Sequence, residues 1–166
     1  MLIVVSGLPG TGKSTIARRI ARARRAALLS VDPIESAMLG AGVARSFATG
    51  LAAYLVVEAV ADELLGDGIE VIVDAVSSVE PARDMWRQLA AQREVAMRVI
   101  VCEVGDEALL RARLASRDRG LTVGEPSREE HEARRLEWMP WPEVHLVLDA
   151  CDSVDANAAR ALEWLS

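Results

Sequence analysis

Two hydrophobic periods alternate along this chain. Short β-branched or aliphatic runs, Leu2–Ser6, Ala27–Val31, Glu70–Asp74, Met97–Glu103 and His145–Asp149, read as strands, and several are apolar almost throughout. A strand without polar alternation is buried on both faces, so these runs predict a parallel sheet covered on two sides. Between them lie Ala/Leu/Arg segments of helical spacing, predicting helices at Lys13–Arg25, Leu51–Leu65, Val79–Gln92, Asp106–Arg117, Arg128–Trp138 and Ala156–Leu165, with a short turn after Asp32. The order implies an α/β fold in three layers.

Two stretches break the pattern. Residues Leu39 to Gly50 contain three glycines and few apolar anchors and read as a mobile loop. Residues from Arg117 to Pro126 carry Gly120, Gly124 and Pro126 and read as a lid, about 117–130 with the capping box Ser127-Arg128-Glu129-Glu130 that restarts helix. With no repeat, low-complexity tract or long linker, residues 1–166 are expected to form one domain.

Composition narrows the class. The chain is 51% hydrophobic and 27% charged, which is a folding composition rather than a disordered one. Its formal net charge is −6 and its basic residues are dispersed, so a long nucleic-acid partner is not expected. The apolar run Leu2–Val5 is too short for a signal-peptide core, and no stretch approaches the roughly 18 apolar residues of a membrane span. A cytoplasmic protein without a membrane partner is expected. Cys102 and Cys151 have neither metal-ligand nor redox-pair spacing, and both are expected to be reduced, mostly buried thiols. Oligomeric state is left open.

Lys13 is the single lysine among 19 lysine and arginine residues. It lies within Gly7-Leu8-Pro9-Gly10-Thr11-Gly12-Lys13-Ser14-Thr15, a complete G-x-x-x-x-G-K-[ST] phosphate loop between a predicted strand and a predicted helix. Glycines let backbone N–H groups turn inward, and the positive end of the following helix adds its dipole. The motif implies ATP bound with Mg²⁺. Gly7, Pro9, Gly10, Thr11 and Gly12 build the cradle, Lys13 reaches the β- and γ-phosphates, Ser14 ligates the metal, and Thr15 bonds backbone or the α-phosphate.

In open α/β sheets, ligands bind beyond the carboxyl ends of the strands. Two aspartates end predicted strands there. Asp32 is read as the carboxylate that accepts the acceptor hydroxyl's proton, against the alternative that Asp-Pro-Ile-Glu merely caps a helix. Asp74 is read as the magnesium-shell carboxylate, against a simple turn-starting aspartate, and the two roles are exchangeable. Arg113 and Arg117, four apart on one helical face, are candidates to close over the phosphates, with a solvated face as the alternative. Arg45, in the 39–50 loop, and Arg83, after Asp74, are weaker candidates for an acidic group of the substrate. His131 and His145 have no ligand partners in the pattern and are assigned no role.

Taken together, the phosphate loop, Ser30-x-Asp32, Val71-Ile72-Val73-Asp74-Ala75 and Arg113-x-x-x-Arg117 resemble the small P-loop kinases. The likeness covers most of the chain and points to the branch with AAA-type, zeta-toxin, polynucleotide kinase and chloramphenicol phosphotransferase-like members. The segment Val31–Met38 looks particularly like the second-strand segment of the chloramphenicol enzyme. The resemblance implies a five-stranded sheet of order 2-3-1-4-5, an arginine-bearing lid, and Asp32 as catalytic base. It also implies transfer of the γ-phosphoryl group of ATP to a hydroxyl of a small molecule, such as a metabolite, a nucleoside-like compound or an antibiotic. Glu35 stands where many members carry an arginine, which weakens the alternative of a polynucleotide 5′-hydroxyl kinase. A nucleotide-dependent binding switch is a further alternative, for which the additional carboxylate and the lid arginines would be superfluous.

Overall fold

The computed structural model describes residues 1–116, 135–136 and 138–166. Five strands, β1 (Leu2–Ser6), β2 (Ala27–Ser30), β3 (Val71–Asp74), β4 (Met97–Glu103) and β5 (His145–Asp149), form one sheet of order β2-β3-β1-β4-β5. Every pairing is parallel. The described helices are α1 (Lys13–Arg24), α2 (Val31–Gly40), α3 (Phe47–Gly66), α4 (Glu80–Gln92), α5 (Glu107–Ser116) and α6 (Val154–Trp164). The predicted α/β class and strand order are both present. Among the described residues, no helix is long and apolar enough to cross a membrane.

Strand β1 shows why the apolar runs lack alternation. Its five residues are all buried: Leu2 and Val4 pack with α3 and α4, while Ile3 and Val5 pack with α1 and α6. Successive side chains point to opposite faces, so a central strand needs apolar residues at every position.

Two stretches depart from the sequence reading. Where a short turn was expected after Asp32, the chain forms the ten-residue helix α2, and β2 stops at Ser30. Asp32 therefore sits in the first turn of α2 rather than at a strand end, and the N-cap position belongs to Ser30. Pro33 is tolerated because first-turn N–H groups have no intrahelical acceptor. The expected loop from Leu39 to Gly50 shrinks to residues 41–46, because α3 begins four residues before Leu51, at Phe47. Ser46 accepts the Thr49 N–H at 3.1 Å, and the Thr49 hydroxyl donates to the Ala44 carbonyl at 2.6 Å, so local capping starts the helix early. The expected lid and the expected helix Arg128–Trp138 lie outside the described residues, apart from the last few positions of that helix.

The two cysteines differ. Cys102 is buried in the core on the α1/α6 side, and burial pushes its thiol up to about 12, whereas Cys151 follows β5 in an exposed turn. The expectation that both thiols are buried fails for Cys151.

Arg83 is almost wholly buried, at 1% exposure. Its Nε donates to the Ser77 carbonyl at 3.0 Å, Nη1 to the Pro140 carbonyl at 3.1 Å and Nη2 to the Met139 carbonyl at 2.5 Å. The guanidinium carbon lies 4.7 Å from the Trp141 ring centre and 5.7 Å from that of Trp138. Arg83 thus ties the segment before β5 to α4 and to the turn after β3.

Two predictions follow from this packing. Arg83→Met should lower the unfolding free energy by about 3 kcal/mol in a denaturant titration, since it orphans three carbonyl partners. Trp138 and Trp141 fluorescence should shift red at the same time. Under native conditions one thiol should react with an aromatic disulfide reagent and a second only in denaturant; two fast thiols would contradict the burial of Cys102.

Candidate functional site

Beyond β1 the chain turns sharply. Gly7 has φ +145°, and a Cβ there would overlap the Cys102 carbonyl oxygen and lie 2.8 Å from the Thr11 hydroxyl. Gly10, at φ +89°, sits where a Cβ would be 2.7 Å from Leu110 of α5. At both positions a side chain is excluded by the fold as well as by backbone geometry. Thr11 closes the turn, its hydroxyl donating to the Leu8 carbonyl at 2.8 Å. Gly12 then caps α1 in a left-handed conformation, and the first turn of α1 carries no acidic residue to oppose the positive helix end. Lys13, the first residue of α1, is 3% exposed and has no ion-pair partner among the described residues.

This loop floors a cavity of about 540 Å³. The cavity is lined by Gly10 to Thr15, by Asp32 and Asp74, and by Arg113 from α5. Four candidates named from sequence as chemically active, Lys13, Asp32, Asp74 and Arg113, therefore share one space with Ser14. Asp74 pairs in register with Val5 and with Ser30, which sets its carboxylate at the carboxyl edge of the sheet beside the loop. The Ser30 hydroxyl donates to Asp74 Oδ2 at 3.2 Å, while Oδ1 is buried without a hydrogen-bond partner among the described residues. Ser30 thus holds the neighbouring carboxylate and makes no side-chain cap on α2.

The opposite end of the cavity is built by β5 and α6. The Asp149 carboxylate accepts the backbone N–H of Cys151 at 2.8 Å and of Gly105 at 3.4 Å. These donors, and then Arg113 nearby, hold its pKa below the usual carboxylate value. The turn so fixed presents the Ala150 carbonyl, which receives Arg113 Nη2 at 2.9 Å. Arg113 is thereby aimed across the loop, with Nη1 4.0 Å from where a Gly12 Cβ would stand.

Not every candidate converges. Arg45 is exposed in the 41–46 connection and does not line the cavity, and Arg83 is committed to the carbonyls described above. Gly7 and Pro9 shape the loop without lining the cavity. Arg117 and His131 lie outside the described residues. Sequence reading missed Ser30 as a partner of Asp74, and it missed Asn157, which is 3% exposed, lines the cavity and donates to the Asp149 carbonyl at 2.7 Å. Ser30 was discoverable, two positions before Asp32; Asn157 carried no signal, because only the return of α6 against the sheet brings it there.

The donor set suits a small hard cation. One hydroxyl and one carboxylate with a free buried oxygen are the protein share expected where phosphates and water supply the remaining ligands. Among the described residues no cluster of three or more His, Cys, Asp or Glu could hold a metal alone.

No curated protein matches the chain. Among solved structures, a candidate kinase from Chloroflexus aurantiacus J-10-fl superimposes with TM-score 0.79 at 23% identity, covering 99% of this chain and 98% of that one. A sugar kinase from Janibacter sp. HTCC2649 gives 0.73 at 20% identity, over 99% and 93%. Kti12 of Chaetomium thermophilum, solved with ADP-AlF3, gives 0.72 at 20% identity over 100% of both chains. These likenesses establish the fold. The family model described as an AAA domain matches residues 2–139, most of the chain, and the protein belongs to that family of P-loop domains.

Proposed function

We propose that the chain is an ATP-dependent phosphotransferase that moves the γ-phosphoryl group to a hydroxyl of a small molecule. The observation that carries this reading is the convergence of Lys13, Ser14, Asp32, Asp74 and Arg113 on one cavity. A protein that only bound nucleotide would need the loop and the metal ligands; it would not need a second carboxylate across the cavity from them.

The loop N–H groups and Lys13 bind the β- and γ-phosphates, fixing the phosphorus for in-line attack. Ser14 and Asp74 would hold Mg²⁺, which when bound neutralises charge on the phosphate oxygens. The arm of the cavity toward Ser30, Asp32 and Pro33 takes the acceptor, and the arm toward Ala150, Asp152 and Asn157 takes the nucleoside. Asp32 accepts a hydrogen bond from the acceptor hydroxyl and takes its proton late, as the new bond to the γ-phosphorus forms and the bond to the bridging oxygen breaks, releasing ADP. Arg113 meets the negative charge of the transferring group, and Arg117 is proposed to join it. The cavity suits a metabolite, a nucleoside-like compound or an antibiotic, and the net charge of −6 disfavours a long polynucleotide. Dependence on ATP argues for the cytoplasm as the working compartment.

Screening small alcohols with γ-labelled ATP and Mg²⁺, with product read by mass, should yield a phosphorylated acceptor. Asp32→Asn should keep nucleotide affinity within about threefold and lower transfer by about 10²–10⁴-fold; turnover near the parent rate would remove Asp32 from the base role. Lys13→Ala should abolish detectable ATP binding by calorimetry, and Asp74→Asn should raise the Mg²⁺ concentration needed for half-maximal rate by about tenfold or more. A protein that binds ATP yet phosphorylates no alcohol, and acquires a nucleotide-dependent partner, would favour the switch instead.

A further inference from the structure

A helix that lays one face on a core ordinarily carries polar residues on the other. Helix α3 does not. Its inward residues Ala53, Val57, Ala61 and Leu65 are buried, but its outward residues are also apolar. Leu51, Leu55, Val56 and Val60 are 45%, 50%, 44% and 39% exposed, and Phe47 at the N-terminal end is 88% exposed. Alanines at 48, 52 and 59 lie among them, so large and small apolar residues alternate over the outer face. No charged residue interrupts this face from Phe47 to Val57, and the acids that follow begin at the half-buried Glu58.

We propose that this face binds a second copy of the chain, with the two α3 helices packed antiparallel about a two-fold axis near Tyr54. The charges flanking the stripe select that occupant. Arg45, just ahead of the helix, and Glu63, near its end, are both exposed, and neither forms an ion pair with a described residue. They lie nine residues to either side of position 54. A two-fold axis there sets Arg45 of one protomer opposite the partner's Glu63, and repeats the pair at the other end. The same axis sets Ala52 against the partner's Val56, small against large, as an isologous interface requires. Antiparallel helix dipoles also attract. A helix of 20 residues is about 30 Å long, about the diameter of a small domain, so the stripe offers a partner helix a long contact line. The arrangement gives Arg45, which does not reach the cavity, a use in the assembly.

Sedimentation equilibrium of the full chain at micromolar concentration should return twice the 17.9 kDa chain mass. Leu55→Glu should weaken the dimer at least about tenfold, since it places a charge in the apolar centre. Arg45→Glu and Glu63→Arg should each weaken it by about three- to tenfold, and the double exchange Arg45→Glu/Glu63→Arg should restore it. Circular dichroism melts establish that each variant folds, as expected for exposed positions. A monomeric parent protein, a Leu55→Glu dimer as tight as the parent, or a double exchange no tighter than either single change would each overturn the proposal.

Discussion

The close approach of the phosphate loop to the end of β4 governs the rest of the site. At Gly7 the backbone passes so near the Cys102 carbonyl that no side chain fits, and this contact sets where the loop leaves the sheet. From that point Thr11 closes the turn, Gly12 caps α1, and Lys13 is buried beneath the cavity. Since β1 lies between β3 and β4, the loop emerges between the strand that carries Asp74 and the strand that leads to α5 and Arg113. The convergence of these residues on one cavity is therefore a consequence of strand order.

The position of Asp74 depends on a second set of contacts, centred on the turn after β3. The Ser6 hydroxyl donates to the Val76 carbonyl at 2.6 Å, the Tyr54 hydroxyl receives the Ser77 N–H at 3.1 Å, and Trp86 Nε1 donates to the Ser77 hydroxyl at 3.1 Å. Arg83 completes the group by binding the Ser77 carbonyl. Helices α3 and α4 and strand β1 thus all grip the segment just past Asp74. A carboxylate held so firmly can leave one oxygen unpaired in the cavity, where a metal or its water can use it.

Much of the fold was legible because its signals are local. Five strands were recognised as apolar runs, and three, β1, β4 and β5, match to the residue. The phosphate loop was legible for the same reason: nine consecutive residues carry their own chemistry. The errors fall where short-range cues compete. Asp32-Pro33 read as the end of a strand and a turn, yet the chain was already helical from Val31, whose side chain is buried in the core. Three glycines between Leu39 and Gly50 read as loop, yet the Ser46 cap and the packing of Ala53 and Val57 drew the last of them into α3.

The residue pattern by itself determined the class of fold, the phosphate loop, the isolated lysine within it and two aspartates near the carboxyl edge of the sheet, because each is written in contiguous residues. Only the tertiary structure decided which of the candidate arginines reaches the cavity. Arg113, Arg83 and Arg45 are alike in sequence, each a cation in a chain rich in arginine. One is steered by the Ala150 carbonyl over the loop, one is locked beneath Trp141, and one stands in solvent beside an apolar helix face. A long charged side chain takes its role from distant backbone carbonyls and rings, and those neighbours exist only once the chain has folded.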